Sequence, residues 1–524
     1  MTRTLLRNGV VHTPARPGAT ALAVEGHEIV WVGAEAGADG LADDADVIVD
    51  LAGALVTAAF VDSHVHLAST GLAAAGVRLH GVGSRSQALE MVAAGARSRP
   101  AVLRGVGWDE TLWDDPRPLT RTELDAATDG LPVYLARVDV HSAVISSALA
   151  DRSPGITSAA GWSEDGRVER DAHHVARRGA DSLTTSSMRE DAIATALRTA
   201  AARGIGCVHE IGAPHLSQQG DFASIDRIAA REPVPSVARY WGELGAFDTA
   251  RELGVLGLAG DLCVDGSIGS HTSAMREPYA DRATTGHAYL TVEELRAHVV
   301  GCTRHGRQAG FHVIGDRAND LVREALHGAA EEVGRAAIRA AGHRMEHLEM
   351  PDAAGLALLA DLGVSASVQP AFDAEWGGPD GVYARRLGIE RAVAMNPFRS
   401  MVDAGIRLAF GSDSPVTPLA PWAGVRAAAT HRTPAQRLTV HEAFDAHTAG
   451  GWAVAGRPGA GRLVIGAPAT YAVWDVPAGL GPEGLPRLDE ADEPRCTSTV
   501  VAGRTIFASI GLSQEDWRSP RSLT

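Results

Sequence analysis

The sequence predicts an α/β fold, a (β/α)8 TIM barrel with a small β-sandwich formed by both chain ends and an inserted cap domain. Short β-compatible runs alternate with helical stretches rich in alanine, leucine, arginine and glutamate, which is typical of parallel βα units. Eight such units close into a barrel whose functional groups lie at the carboxyl ends of the strands. The predicted strands are the run that ends at His66 and residues 205–210, 236–241, 261–265, 309–313, 343–347, 364–369 and 407–412. Predicted helices include 191–203, 292–305, 318–333 and 352–362.

Three parts of the chain lie outside this count. Residues 73–189 interrupt the first two units with their own strand-like runs at 102–107 and 133–138, which indicates an inserted cap domain. Both ends are β-rich and can pair in one small sandwich. We therefore divide the chain into 1–56 (sandwich, first part), 57–72 (first barrel strand), 73–189 (cap), 190–457 (rest of the barrel) and 458–524 (sandwich, second part, and tail).

Charge and composition exclude several classes of protein. The formal net charge of −16 over 524 residues argues against nucleic acid or an anionic membrane as a partner. No apolar run reaches the roughly 18 residues that span a bilayer, and the first residues lack the pattern of a signal peptide. The four cysteines form no CxxC pair, as expected in a reducing compartment. We expect a cytoplasmic enzyme that acts on a small molecule, and we allow for a homodimer.

A pair of histidines at the end of the first barrel strand is the strongest functional signal. Side chains two residues apart in a strand point to the same face, so His64 and His66 can bind one metal ion. Taken alone, the pair is equally compatible with polar residues at a loop. Three further polar residues decide between these readings, because His312, His347 and Asp413 also fall at the ends of predicted barrel strands. Nitrogen and carboxylate ligands of this kind suit zinc or a similar divalent ion.

These residues belong to a longer set of motifs by which the chain resembles the amidohydrolase superfamily, and within it the amidohydrolase 3 (YtcJ-like) group that includes N-substituted formamide deformylase. The motifs are residues 60–66 (FVDSHVH), 107–110 (GWDE), 265–270 (DGSIGS), 312–318 (HVIGDRA), 346–347 (EH), 368–370 (VQP) and 411–415 (GSDSP). The resemblance implies a metal surrounded by His64, His66, His312, His347 and Asp413. It also implies hydrolysis of a non-peptide C–N bond, in an amide or N-substituted formamide, by a metal-activated water.

The chain departs from this family at one position of the site. The family usually has a lysine four residues before the Asp-Gly pair, which can be carboxylated to bridge two metals. Here that position is Asp261, and all 48 basic Lys or Arg residues are arginine, so a carbamate bridge is impossible. Either Asp261 forms a shorter bridge or the site holds one metal only. We expect one ion, because aspartate reaches less far than a carboxylated lysine.

Other polar residues are assigned roles around this centre. Asp413 is expected to accept a proton from water and return it to the leaving nitrogen. His141, Asp265, Gln369 and Trp108 are expected to contact the substrate, although packing is an equal alternative for Trp108. Asp62 and Glu346 are expected to orient the imidazoles. The alternatives for the whole protein are a mononuclear deaminase of the same superfamily and a non-catalytic binding protein on this scaffold.

Overall fold

The structure is a computed structural model that describes residues 2–488 and 492–509. Its amino end forms six short strands and one helix before the barrel begins. Apolar side chains of these strands are buried, among them Leu5, Leu6 and residues 21–24. The elements are β1 (Arg3–Arg7), β2 (Val10–Val11), β3 (Ala21–Glu25), β4 (Glu28–Gly33), α1 (Glu35–Ala42), β5 (Val47–Asp50) and β6 (Leu55–Ala58). One four-stranded sheet has the order β4-β3-β1-β5.

The first barrel strand is followed by an inserted segment with a sheet of its own. The strand β7 (Phe60–Val65) leads into α2 (Leu67–Ala75), and the chain then leaves the barrel. The inserted sheet has the order β12-β11-β10-β9-β8. Its elements are β8 (Val77–Arg78), α3 (Arg85–Ala96), β9 (Leu103–Trp108), α4 (Arg121–Thr128), β10 (Val133–Arg137), β11 (Ser142–Ile145), α5 (Ser147–Ala150), β12 (Arg167–Glu169) and α6 (Arg170–Ser182).

Seven further parallel strands complete the barrel with β7, which confirms the predicted (β/α)8 architecture. The strands are β13 (Ile205–Gly212), β14 (Ser236–Trp241), β15 (Gly257–Leu258), β16 (Gln308–Val313), β17 (Arg344–His347), β18 (Ser365–Val368) and β19 (Leu408–Phe410). Most of their residues are buried, as expected for parallel strands that are covered on both faces. The largest apolar core of the protein lies between these strands and the surrounding helices.

The helices around the barrel follow the predicted alternation. They are α7 (Ser186–Ala202), α8 (Gly220–Arg231), α9 (Phe247–Glu252), α10 (Val292–Arg304), α11 (Asp316–Val333), α12 (Arg335–Ala341), α13 (Ala353–Asp361), α14 (Pro370–Trp376), α15 (Val382–Leu387), α16 (Ile389–Ala392), α17 (Phe398–Asp403), α18 (Pro421–Ala429), α19 (Val440–Asp445) and α20 (Gly451–Val454). Single turns of other helix types occur at Glu110–Leu112, Ile156–Ser158, Pro434–Gln436 and Ala446–Gly450. Within the described ranges, every helix is too short or too polar to cross a bilayer.

The barrel closes where its last strand meets its first. The amide of Asp413 donates to the carbonyl of His64 at 2.8 Å, and the amide of His66 donates to the carbonyl of Ser414 at 3.0 Å. The carboxylate of Asp62 also accepts from the amide of Ser412 at 2.8 Å. These bonds hold the end of the last strand beside the two histidines of the first.

Strands from both ends of the chain share one sheet. The carboxyl part supplies β20 (Tyr471–Asp475), β21 (Arg495–Val501) and β22 (Arg504–Ala508), and the sheet order is β2-β6-β20-β21-β22. A separate apolar cluster packs between the two terminal sheets. The boundaries of the five predicted segments stay a prediction, and the tail that we assigned after residue 509 lies outside the described residues.

One predicted barrel strand is wrong. The fourth strand consists of Gly257–Leu258 rather than residues 261–265, of which only Cys263 pairs, with His312. Gly260 adopts a φ of +95°, which ends the strand, since other residues rarely adopt that conformation. The segment after it approaches the preceding strand so closely that a Cβ on Gly242 would lie 2.9 Å from the carbonyl carbon of Asp261. This irregular backbone positions Asp261 at the mouth of the barrel.

Candidate metal centre

Six acidic and imidazole side chains converge at the carboxyl end of the barrel. They are the six residues that the sequence predicts as metal ligands: His64, His66, Asp261, His312, His347 and Asp413. In each of three overlapping groups of three, the candidate ligand atoms lie within 4.8 Å of one another. All six side chains are buried. The fold therefore brings the predicted set together, while the role of each residue as a ligand stays a prediction.

Asp261 occupies the centre of this cluster. Its Oδ1 lies 3.4 Å from His64 Nε2, 3.6 Å from His312 Nδ1 and 3.7 Å from His347 Nε2. Its Oδ2 lies 3.2 Å from His66 Nε2. One short carboxylate therefore faces all four imidazoles, at the position where the family usually has a much longer side chain.

Asp413 approaches the same point from the opposite side. Its Oδ1 lies 3.1 Å from His66 Nε2 and 3.4 Å from His64 Nε2. The residue has a positive φ of 54°, just after the last barrel strand, and its backbone amide is held by His64. Backbone closure of the barrel therefore also determines where this carboxylate lies.

Partners outside the cluster orient each imidazole. His64 donates from Nδ1 to Glu346 at 2.9 Å, His66 from Nδ1 to the carbonyl of Ile211 at 2.9 Å, and His347 from Nδ1 to Gln369 Oε1 at 2.8 Å. His312 is reversed, because its Nε2 donates to the carbonyl of Gly266 at 3.3 Å. Acceptors at these positions select the tautomer of each ring. Three histidines therefore present Nε2 to the centre, and His312 presents Nδ1.

Four atoms of the cluster have no hydrogen-bond partner within the part of the chain that the structure describes. They are His64 Nε2, His312 Nδ1, His347 Nε2 and Asp261 Oδ1. Buried polar atoms normally find partners, since each one left without costs about 1–3 kcal/mol. These four atoms face a common point, and three nitrogens with a carboxylate oxygen form a donor set that suits zinc or a similar ion. The residues present therefore fit a divalent metal.

The charges within the cluster also favour a bound cation. Burial alone would lower the pKa of His66, but Asp261 and Asp413 raise it to about 9. Burial alone would raise the pKa of Asp261, but His64, His312 and His347 hold it well below its usual range. Both carboxylates thus create a strongly negative pocket that attracts positive charge, whether protons or a metal cation.

A buried ion pair holds one histidine of the cluster in place. Glu346, which accepts from His64, also pairs with the guanidinium of Arg344, with Nε to Oε1 at 2.5 Å. Arg344 donates to the carbonyl of Ser63 at 2.8 Å, and its guanidinium lies 4.4 Å from the ring centroid of Tyr240. We predicted no role for Arg344 from the sequence. Its place two residues before Glu346 on the same face of β17 is the signal that could have found it.

Two cavities border the cluster. The larger, of about 1050 Å³, extends towards the inserted segment, and its lining includes Tyr134, His173 and Arg177. The smaller, of about 460 Å³, has an aromatic and aliphatic wall that includes Phe372, Trp376, Val382 and Tyr383. His141, His312 and Asp413 line both cavities. The ring of His141 lies 5.2 Å from that of His312, beside the cluster, and its contact with the substrate stays a prediction.

Three other predicted roles need correction, and that of Asp265 stays a prediction. Asp265 lies at the edge of the larger cavity, but its carboxylate accepts from the amides of Ile314, Gly315 and Ala274 at 2.8–3.0 Å and so holds a loop. Gln369 orients His347 instead of lining either cavity. Trp108 packs in the core of the inserted segment and donates to the carbonyl of Leu135, so the packing alternative applies. Asp62 joins the first and last strands through backbone amides and contacts no imidazole nitrogen.

A family model described as "Amidohydrolase family" matches residues 47–507 of this chain. Protein LONG AFTER FAR-RED 3 from Arabidopsis thaliana is 28% identical over 488 residues, which cover 85% of this chain and 82% of that protein. N-substituted formamide deformylase from Arthrobacter pascens is 24% identical over 479 residues, which cover 82% and 85% of the two chains.

A solved structure resembles the whole fold. It is the crystal structure of an uncharacterized metal-dependent hydrolase from Pyrococcus furiosus, with a TM-score of 0.70 and 26% sequence identity. The match covers 90% of this chain and 98% of that one. Most of the fold is therefore shared with that protein.

Proposed function

The chain belongs to the amidohydrolase family, and from this premise we propose that it uses one divalent metal ion, zinc, to hydrolyse a non-peptide C–N bond in an amide or N-substituted formamide. One observation carries the proposal. Four buried donor atoms without hydrogen-bond partners in the described chain face a common point between two cavities. When bound there, a divalent ion would make water more acidic and draw electron density from a carbonyl group.

The residues that would hold this ion are the four histidines and the two aspartates of the cluster. Asp261 supports the choice of one ion over two, because its carboxylate lies within 3.7 Å of all four imidazoles. A compact cluster around one short side chain leaves less room than a carboxylated lysine for two separate ions. His64, His66 and His347 would contribute Nε2, and His312 would contribute Nδ1.

Asp413 is the residue we assign to proton transfer. Its carboxylate lies beside His64 and His66 and also lines both cavities, so it can reach a water and a substrate. Burial alone would raise its pKa, but His64 and His66 hold the pKa below its usual value. An ionised carboxylate in this place can accept a proton from the attacking water and return it to the leaving nitrogen.

Two features support an amide as the substrate. An amide carries substituents on its carbonyl carbon and on its nitrogen, and two cavities that could hold such groups border the cluster. The second feature is the relative named N-substituted formamide deformylase, which matches over most of both chains. The cytoplasmic location and the homodimer considered from the sequence stay predictions.

The test combines metal analysis with an activity screen. Purified protein is assayed for bound metal and for hydrolysis of N-substituted formamides, cyclic amides and aminated heterocycles, before and after chelation and re-addition of zinc. We expect zinc-dependent hydrolysis of an amide. Ammonia release from heterocycles without activity on amides would select the deaminase, and ligand binding without any hydrolysis would select the binding protein.

The variant Asp413→Asn tests the proton-transfer role. We expect it to retain most of its metal while turnover falls by about 10²–10⁴-fold, the usual contribution of a general acid or base. Asp445→Asn is the control, because Asp445 is a partly exposed partner of Arg462 and lines neither cavity. Near-normal turnover in Asp413→Asn would remove the residue from this role.

A further inference from the structure

We propose that Arg177 binds a carboxylate on the substrate, so that the preferred substrates are small amides with an acidic group on one side of the scissile bond. This inference rests on the proposed function and names the substrate class of the same site. It assigns specificity to the inserted segment, which supplies Arg177, whereas the barrel supplies the cluster at which the bond is cleaved.

The position of Arg177 follows from helical spacing. The helix α6 carries His173, Arg177 and Asp181 at intervals of four residues, and residues so spaced share one face. All three line the larger cavity, and so do Asp261 and Asp413. A guanidinium and the candidate metal centre therefore border the same enclosed space.

Arg177 differs from the other arginines around it in having no acidic partner. Arg104 pairs with Asp181 at 2.8 Å, and Arg189 pairs with Asp221 at 2.5 Å. No carboxylate among the described residues lies within 4.0 Å of Arg177; the structure records only the Tyr134 hydroxyl at 3.5 Å from its Nε and the Val140 carbonyl at 3.2 Å from its Nη2.

A half-buried guanidinium that lines a cavity suits a planar anion. Arginine has five N–H donors in a fixed fork that matches the two oxygens of a carboxylate. The two long contacts of Arg177 leave several of these donors for a ligand. These donors border the cavity, so a carboxylate on the substrate could occupy the position of an acidic partner there.

The two side chains that form a hydrogen bond beside Arg177 carry no charge. The hydroxyl of Tyr134 and Nε2 of His173 are hydrogen bonded at 2.7 Å. Burial first, and then the charge of Arg177, lower the pKa of His173 well below its usual value, so this histidine is neutral. An anion that reaches Arg177 therefore meets its positive charge beside these neutral groups, while Arg104 on the same cavity wall is already paired with Asp181.

The smaller cavity indicates which second group the substrate carries. Its wall of Phe372, Trp376, Val382 and Tyr383 offers apolar contacts. A substrate whose nitrogen substituent branches at the cluster, such as N-formylphenylalanine, would place its carboxylate at Arg177 and its apolar group among these side chains. The inference therefore selects amides with an acidic end and an apolar end.

The test compares two formamides that differ by one carboxylate. N-formylphenylalanine and N-formyl-2-phenylethylamine are assayed as substrates of the zinc-loaded wild type and of Arg177→Gln, Arg177→Lys and Arg178→Gln. We expect the wild type to prefer the acid, and Arg177→Gln to raise KM for the acid by at least about tenfold with little change in kcat, since a charged hydrogen bond is lost. Arg177→Lys should recover part of the loss, because the charge remains without the fork.

Two controls keep specificity apart from folding and from general electrostatics. The neutral formamide should be hydrolysed equally by wild type and Arg177→Gln, which shows that the variant is folded. Arg178→Gln removes the same charge from the adjacent, exposed residue and should leave both substrates unaffected. A wild type that shows no preference for the acid, or an Arg177→Gln variant with an unchanged KM for it, would overturn the inference.

A binding experiment separates this inference from the proposed function. If the wild type hydrolyses neither compound, calorimetry measures the affinity of 3-phenylpropionate for the zinc-loaded wild type and for zinc-loaded Arg177→Gln. This measurement needs no catalysis. Binding that weakens at least about tenfold in the variant supports the role of Arg177. Equal binding, which places the carboxylate at the metal centre, or no binding to the wild type contradicts it.

Discussion

Replacement of Glu346 by glutamine should weaken both the fold and the metal site. Glutamine has the same shape, and its Oε1 can still accept from His64 Nδ1, but it carries no charge. Arg344, which is fully buried, then loses the carboxylate now 2.5 Å away. Removal of one partner from a buried ion pair costs about 3–5 kcal/mol, because the other charge stays desolvated.

Because Arg344 keeps its other contacts, we expect the loss of stability to lie at the lower end of this range. The guanidinium keeps the carbonyl of Ser63 at 2.8 Å, the hydroxyl of Ser367 at 2.9 Å and the face of Tyr240 at 4.4 Å. We therefore expect Glu346→Gln to lower the free energy of unfolding of the metal-free protein by about 3 kcal/mol. Because the outer partner of His64 is altered, metal affinity should also fall by about 10–100-fold.

Chemical denaturation of the metal-free protein measures the first effect, and titration of zinc against a competing chelator measures the second. Glu493→Gln is the matched control, since Glu493 pairs with Arg426 at 2.8 Å on the surface, where such a pair contributes less than about 1 kcal/mol. The double variant Arg344→Met, Glu346→Gln should regain part of the stability, because it removes the unpaired charge. Equal losses in Glu346→Gln and Glu493→Gln would refute the reasoning.

Two further predictions concern the metal ligands and the response to acid. Asp261→Asn should lower the affinity for zinc by more than the roughly 100-fold expected for a residue that only orients a ligand, because the carboxylate of Asp261 faces all four imidazoles. Metal analysis of the variant measures this loss. Two bound ions in the wild type, one of them lost in Asp261→Ala, would contradict a single-ion site. Burial lowers the pKa of His447 to about 4, and its Nδ1 donates to the carbonyl of Val61 at 2.8 Å. The unfolded chain therefore takes up this proton near pH 6.5 and the folded chain only near pH 4, so stability should fall by up to about 3 kcal/mol as the pH drops between them, at about 1.4 kcal/mol per unit. His447→Gln should make unfolding less dependent on pH in this window, whereas the exposed control His327→Gln should not, and parallel pH profiles for the two variants would disprove the assignment.

Sequence reasoning succeeded where the decisive property is local. Alternation of strands and helices depends on runs of a few residues, and seven of the eight barrel strands lie where it predicts. The pairing of His64 and His66 depends only on the two-residue period of a strand. His312, His347 and Asp413 follow because parallel barrel strands bring their carboxyl ends to one face. Recognition of the family, which the match over residues 47–507 confirms, rests on motifs of the same short range.

Sequence reasoning failed where packing between distant segments decides. The fourth strand is only two residues long because Gly260 turns the chain and Gly242 admits it at close range. Gln369 and Asp265 were correctly expected near the site but hold an imidazole and a loop, which depends on partners distant in the sequence. Trp108 has an apolar environment in either role, so the sequence could not separate a cavity wall from a core.

The sequence by itself therefore determined the barrel, the family and the six side chains of the candidate centre, because local periods and strand ends dictate them. It also determined that no lysine can bridge two metals here. Only the tertiary structure decided which nitrogen each histidine presents, that Asp261 faces all four imidazoles, and that Arg177 meets the cavity without an acidic partner among the described residues. These facts depend on how side chains from separate strands and from the inserted segment pack around one point, and no local pattern in the chain encodes that arrangement.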